Sequence, residues 1–599
     1  MKMYIRAVAI LLFSSFLLTQ CRTDPKPSEE VVVDYERISN EVIVASASEA
    51  DNLNPILTTS GYSKMPIDYM FQSLLAISPQ DLELIPLLAE SRPTAEERED
   101  GSIAYTFDIR EEAVWSNGSP VTADDVVFTL KTALNPRVAA GHIRNNLTVL
   151  KEVITYADNP KRITLVANNK YIRNEAVLGG AYYVIPAYNY DADRLLADVD
   201  IADLIDPERA EQAAASNPNL QAFADQFINP KFARASEGVV GSGAYELISF
   251  ETGQGVTIKR KENWWGEGLA AGNIYFDNNV ETVTYLAIGD ANAQEAAVRN
   301  EQIDVISGMT PDIYNDLSAD EQVMTVYDAF AGARAAWGFW NINTKNPKLS
   351  DKRVRRALAH VVDVDAILEN VLDMPLKRIT TSVLPDMPGY DDSLQPIELD
   401  IEKAKTLLAE AGWTDTNNNG IVDKEIDGEL VEMNLEILTV NSRQTQEDAG
   451  LLVKEDAIQA GINLEVIPQE PTTQRQRMMS RDYELATGAI PEPTPSTYDP
   501  FQMWHTTSDN PSGFNRVGFG DSESDALIEK IQVTLDQEER NELYEEFQQL
   551  LYEEQPMIFL YQLPNFFLVH KRFNAKSYGL SPNFFPGSFE LENLVEMKD

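Results

Sequence analysis

The chain has 599 residues, with 49 Lys and Arg against 95 Asp and Glu, and a formal net charge of -46. A polyanion of this size is repelled by nucleic acid and by anionic lipid surfaces, which sets both aside as partners. The length exceeds what one core fills and predicts roughly two to four domains, while the 43% hydrophobic composition excludes a generally disordered chain.

In chain order, Lys2 and Arg6 precede the apolar run Ala7–Leu18. This pattern predicts a secretion signal over 1–20, too short for a membrane span. Leu18-Thr19-Gln20-Cys21 resembles the lipobox of bacterial lipoproteins, so Cys21, the only cysteine, is expected to carry lipid. The polar stretch 21–35 then reads as a tether. No later apolar run is long enough to cross a bilayer.

Val42–Ser46 predicts a strand, and Ser63–Ile77 a helix from the spacing of Met70, Phe71, Leu74 and Leu75. Ile103–Ile109 alternates like a strand. Thr122 with Asp125 forms a capping-box pattern that opens a helix to Leu134. Strands are expected at Arg162–Ala167, Ala244–Ser249 and Val256–Arg260, with irregular helices over Asp191–Phe232. Ala336–Asn343 reads as a strand, and Ser350 as the cap of one long helix to Val371. Asp400–Ala411 is a helix closed by Gly412. Leu435–Thr439, Gln444–Ala460 and Ile462–Ile467 form a strand–helix–strand series, which predicts a parallel βαβ unit. Helices at Ser524–Leu535 and Gln537–Tyr552 lead to a strand at Met557–Leu563.

Catalytic signatures do not emerge. The histidines His142, His360, His505 and His570 have no zinc-like spacing. HExxH, CxxC, GxSxG, P-loop and GxGxxG patterns are all missing from the sequence. The sequence therefore gives no sign of catalysis, and no cofactor is expected. Asp415, Asn417, Asn419, Ile421 and Asp423 fall at EF-hand-like positions around Gly420, a candidate structural calcium loop. A polar turn between a helix and a strand fits the same residues. Ile426 stands where such loops place a bidentate Glu.

Three segments resemble the bacterial extracellular solute-binding protein family 5, the oligopeptide-, dipeptide- and nickel-binding components of ABC importers. They are Tyr105–Arg110 with Trp115–Val126, Gly241–Leu247 with Asn263–Gly266, and Leu349–Leu358. The resemblance implies an α/β fold of the type II periplasmic-binding-protein kind, with two hinged lobes. Lobe I would be 36–80, 236–335 and 556–599, with an inserted subdomain at 81–235; lobe II would be 336–555. It implies a monomer that closes on a small solute, most simply a peptide, and delivers it to an ABC permease and its ATPase. An oligosaccharide, opine or metal chelate is the alternative ligand. The implied ligand contacts are Thr59, Gly61 and Tyr62 after Asn54-Pro55, Phe339 and Asn341 on the hinge strand, and Glu492, Tyr498, Asp499 and Trp504. The Asp that peptide-binding relatives aim at the ligand's α-amino group is absent from Ala489–Pro495 here, and Glu492 is the nearest acidic residue. Arg353, Arg355 and Arg356 are expected to pair with acidic neighbours across the lobe.

Overall fold

The computed structural model describes residues 40–270, 272–374, 376–491, 497–511, 513–579 and 582–592. The expected signal, Cys21, the tether and Glu492 lie outside the described residues.

A ten-stranded sheet runs through the molecule. Its strands are β1 (Glu41–Ser46), β2 (Tyr245–Glu251), β3 (Gly255–Arg260), β4 (Thr282–Ala287), β5 (Val305–Ser307), β6 (Tyr327–Ile342), β7 (Asn434–Val440), β8 (Asn463–Gln469), β9 (Leu485–Pro491) and β10 (Met557–His570). They lie in the order β8-β7-β9-β6-β10-β5-β1-β4-β3-β2. The long antiparallel pair β6 and β10 is the spine joining the two halves. Its ladder slips at Gly338 and Phe339, which face Tyr561 and Phe559, and more widely at Ala333, which faces Pro564 before the next pair, Trp337 with Gln562. β6 spends more residues than β10 across that step, which bends the spine there.

Each strand sorts its side chains by the period of two. Val42 and Val44 of β1 enter one core, whereas Ile43 and Ala45 enter another on the opposite face. On β6, Trp337 and Phe339 pack into a third core, and Trp340 and Ile342 turn to the face of Ile43.

The helices are α1 (Gly61–Met70), α2 (Ala123–Leu134), α3 (Lys352–Ala359), α4 (Ile401–Glu410), α5 (Gln444–Gln459), α6 (Ser522–Val533) and α7 (Gln537–Glu554), besides shorter ones. β7, α5 and β8 form the expected parallel unit, in register from Asn434 with Asn463 to Val440 with Gln469. The 81–235 segment carries its own four-stranded sheet, Thr94–Glu97, Ile103–Asp108, Asn159–Ala167 and Leu150–Tyr156 in that spatial order. Beside it α2 begins with the Thr122–Asp125 capping box. The Asp125 carboxylate also accepts the indole N–H of buried Trp115 at 3.2 Å. This motif is scaffold.

Two expected helices are shorter than the pattern predicted. α1 stops at Met70, because Leu75–Ile77 pairs as a strand with Leu84–Pro86. The helix read as Ser350–Val371 is broken. Asp351, one residue later than expected, caps α3 by accepting the Arg353 N–H at 2.9 Å. Asp363 then caps a new turn through the Ala366 N–H at 2.9 Å. A single π-helical turn follows over Leu368–Leu372, and Asp373 leaves it with φ +52°. The expected pairing across the lobe holds for buried Arg355 with Glu554 at 2.9 Å, whereas Arg353 pairs with Asp351, the cap of its own helix. Arg356 instead lies over the Tyr552 ring.

Candidate functional site

The site starts from a split in the sheet. β9 pairs with β7 only at Leu485 and Ala486. On its other side it pairs with β6 along its whole length, from Leu485 with Ile342 to Pro491 with Ala336. Two glutamines hold the split open. Gln446 accepts the Val440 N–H at 3.2 Å and the Thr487 hydroxyl at 2.7 Å. Gln474 donates to the carbonyls of Leu438 and Thr487 at 3.0 and 3.2 Å. Beyond Thr487, the β7-side edge of β9 has no strand partner among the described residues. Free backbone donors and acceptors are obligatory hydrogen-bonding groups, so this edge is a template for an added strand.

The edge opens into a cavity of about 330 Å³. Gly308 and Met309 reach it from the loop after β5, Arg334 and Leu563 from the wider slipped step of the spine, and Arg443 and Gln446 from the start of α5. The cavity therefore lies where the two halves of the sheet meet. Leu372 and Met374, at the exit of the π-helical turn, form an apolar wall. Arg334 and Arg443 have no ion-pair partner among the described residues, although the protein is strongly acidic. Burial raises the Tyr561 hydroxyl, and the Arg443 charge beside it acts in the opposite direction.

The expected contacts distribute unevenly around this cavity. Phe339 lines it. Asn341 is buried within the sheet, its amide 3.5 Å from the Ala486 carbonyl. Thr59 and Tyr62 are exposed and Gly61 opens α1; none of the three lines the cavity. Tyr498 and Trp504, expected at the ligand, are core residues instead. Trp504 is 0% exposed, and its indole N–H donates to the Tyr498 hydroxyl at 2.8 Å. That hydroxyl also meets Ser382 at 2.7 Å. Burial of so large a ring is worth more in a core than at a partly wet ligand face. Phe501 stacks on His505 at 4.3 Å.

Asp499 bridges two parts of the molecule. Its carboxylate accepts the Tyr171 hydroxyl from the 81–235 segment at 2.7 Å, the Gln532 amide at 3.1 Å and the Phe501 N–H at 3.0 Å. The Ile172 N–H donates to the Gln532 carbonyl at 2.8 Å, and the Ile172 side chain enters the core of Trp337 and Trp504. Burial, and then the Asp499 charge, raise the Tyr171 hydroxyl well above its ordinary range. A hydrogen bond to a charged acceptor is worth about 1.5–3 kcal/mol. In a double-mutant cycle, Tyr171→Phe and Asp499→Asn should therefore couple by at least about 1 kcal/mol in urea unfolding. Additive effects would mean that the bridge contributes nothing.

The candidate calcium loop closes on its own groups. Asp415 accepts the N–H groups of Asn419 and Gly420 at 3.1 and 2.9 Å. The Asn417 and Asn419 side-chain carbonyls accept the N–H groups of Asn419 and Ile421, at 3.0 and 2.9 Å. Asp423 is buried and accepts the Thr416 N–H and hydroxyl at 3.0 and 2.6 Å. The described residues hold no group of three or more His, Cys, Asp or Glu that could bind a metal ion.

Arg334, Arg443, Gly488 and Met309 were not among the residues the sequence pointed to. They come from four separate segments, and no local spacing joins them.

Two half-sheets joined by a long strand pair, with a cavity at the junction and an unpaired strand edge inside it, define a two-lobed solute-binding protein. The comparisons say which kind. Residues 83–512 match the model of bacterial extracellular solute-binding proteins, family 5, and the chain belongs to that family. It is 27% identical over 527 residues to the oligopeptide-binding protein AppA of Bacillus subtilis, covering 87% of this chain and 86% of that protein. It is 23% identical over 578 residues to the dipeptide-binding protein of Escherichia coli, covering 92% and 94%. Among solved structures, the murein tripeptide-binding protein MppA in its unliganded open form superimposes with TM-score 0.71 at 16% identity, over 92% of this chain and 97% of the other. The Bacillus subtilis AppA complex with a nonapeptide gives TM-score 0.59 at 22% identity, over 92% and 99%. No helix among the described residues is long and apolar enough to cross a membrane.

Proposed function

We propose that the protein captures a peptide in the cavity at the junction of the half-sheets and hands it to an ABC permease, tethered to the membrane through lipid on Cys21. The observation that carries the peptide reading is the edge of β9 beyond Thr487, which has no strand partner among the described residues and opens into the cavity. An extended peptide can complete that edge with backbone hydrogen bonds irrespective of its sequence. The relatives support it: AppA is named for oligopeptides and the Escherichia coli protein for dipeptides. Of the aromatic residues that a sugar or chelate would stack on in the segment after β9, Tyr498 and Trp504 are core and Phe501 lies on His505.

In this reading Arg443, at the start of α5, takes the peptide's carboxylate. Glu492, which directly follows β9 in sequence, takes its α-amino group. The test is calorimetry with one short peptide in free, N-acetylated and C-amidated forms, beginning from whichever peptide native mass spectrometry finds in protein purified from its source. Arg443→Gln should weaken the free peptide by about 1.5–3 kcal/mol and leave the amidated form unchanged. Glu492→Gln should act in the same way through the N-acetylated form. Equal affinity of wild type for all three forms would remove both charge roles, and failure of every peptide to bind would remove the function.

A further inference from the structure

The cavity is charged in the opposite sense to the chain. Asp and Glu outnumber Lys and Arg by 95 to 49 over the sequence. Yet among the described residues that line the cavity none is acidic, and the only charged ones are Arg334 and Arg443. Arg443 has a role in the reading above, at the peptide's terminal carboxylate. Arg334 has none.

The place of Arg334 is built by the spine. Between Ala333, which faces Pro564, and Trp337, which faces Gln562, β6 carries Arg334, Ala335 and Ala336 where β10 carries Leu563 alone. Extra residues in one strand of a pair re-aim its side chains. The Gln562 amide fixes the step from the other strand, donating to the Arg334 carbonyl at 3.0 Å and to the Asp386 carboxylate at 3.1 Å. Ala335 packs on the core of Trp337, and Arg334 lines the cavity. Its half-buried guanidinium, with five N–H donors, has no ion-pair partner among the described residues, Asp386 included. A cation drawn partly out of water needs an answering charge. One terminal carboxylate can answer only one of the two arginines.

We infer that Arg334 selects a second anionic group, so that the ligand is an acidic peptide whose Asp or Glu side chain meets Arg334 while its terminal carboxylate meets Arg443. The inference rests on the peptide reading and adds which side chain the peptide must carry. A guanidinium takes a carboxylate through two parallel bonds. The Gln side chain has the shape of Glu without its charge, which makes it the control.

The test is a series of alanine peptides of two to five residues, with one Ala at a time replaced by Glu or Gln, titrated calorimetrically into wild type, Arg334→Gln and Arg334→Met. At one position wild type should favour Glu over Gln by about tenfold, the scale of a hydrogen bond between charged groups. Added salt should shrink that preference. Arg334→Gln should erase it and keep the affinity for the Gln peptide within about twofold. Arg443→Gln should weaken the Glu and Gln peptides alike, which separates the two arginines. Peptides that bind wild type with no preference for Glu at any position would overturn the subsite alone. So would an Arg334→Gln protein that keeps the preference. A preference that appears only in Glu492→Gln would mean that Glu492 already answers Arg334, and would overturn it too. If no peptide of the series binds wild type, the function reading falls and the subsite with it. Should Arg334→Gln melt well below wild type, Arg334→Met carries the comparison, where a lost preference supports the subsite and a kept one overturns it.

Discussion

Asp304→Asn should lower the unfolding free energy by about 3–5 kcal/mol, the cost of leaving a buried charge without its partner. The charge is Arg572, whose guanidinium meets Asp304 through two bonds of 2.7 and 2.8 Å while both side chains are about 5% exposed or less. The pair does more than neutralise itself. Asp304 also accepts the Ile43 N–H of β1 at 2.8 Å, and its own carbonyl accepts the His570 N–H at the end of β10 at 2.7 Å. Arg572 in turn donates to the Glu41 carbonyl at 2.5 Å. One ion pair thus fixes β1, the approach to β5 and the end of the spine in a single register. Removing both charges, as Asp304→Leu with Arg572→Met, should be less costly than the single change, because no uncompensated cation remains. It should still fall short of wild type, since the Ile43 N–H and the Glu41 carbonyl lose those partners. The measurement is the urea midpoint of ligand-free protein. A single variant that loses less than about 1 kcal/mol, or a double variant worse than the single, would show that the pair does not hold these strands.

Local chemistry was legible in the sequence, and long-range geometry was not. The Thr122–Asp125 cap is set within four residues, so residue type and spacing suffice to find it. The parallel unit of β7, α5 and β8 was equally plain, because Gly461, at φ +85°, follows directly on the helix read as Gln444–Ala460. The broken helix after Ser350 shows the limit. An unbroken apolar stripe at helical spacing ran from Val354 to Leu368, yet the Asp363 side chain offered the backbone a competing cap and won. The Asp400 N–H, bonded to the His360 carbonyl at 2.9 Å, holds that break from a distant segment. The cavity was the least legible part. Its free edge exists because Gln446 and Gln474 reach between β7 and β9, and nothing near Thr487 in the sequence announces either. Aromatic residues misled for a related reason: Trp504 and Tyr498 have the composition of a binding surface, but only their neighbours in space decide between core and ligand.

That distinction can be measured. Trp504→Ala should cost about 3–5 kcal/mol of stability, the usual loss for emptying the volume of a large buried aromatic side chain. The ring stands edge-on to Phe519 and Phe547, at 5.5 and 6.3 Å, and tilted against Phe559 at 6.3 Å. Its deletion also leaves the Tyr498 hydroxyl with Ser382 but without the indole donor. Trp504→Phe refines the test, because it restores an aromatic face but not the N–H. A core role predicts that both variants lower the urea midpoint, alanine much more than phenylalanine. It also predicts that ligand affinity, titrated well below the midpoint where the protein is folded, stays within about twofold of wild type. A stacking role predicts the reverse order of sensitivity. Affinity would then fall sharply in Trp504→Ala and recover in Trp504→Phe, with little change in stability, because a ring at a ligand face gives up little packing when the site is empty. Affinity that falls with alanine and returns with phenylalanine would put Trp504 back at the ligand and make the cavity beside Gly338 only part of the binding surface.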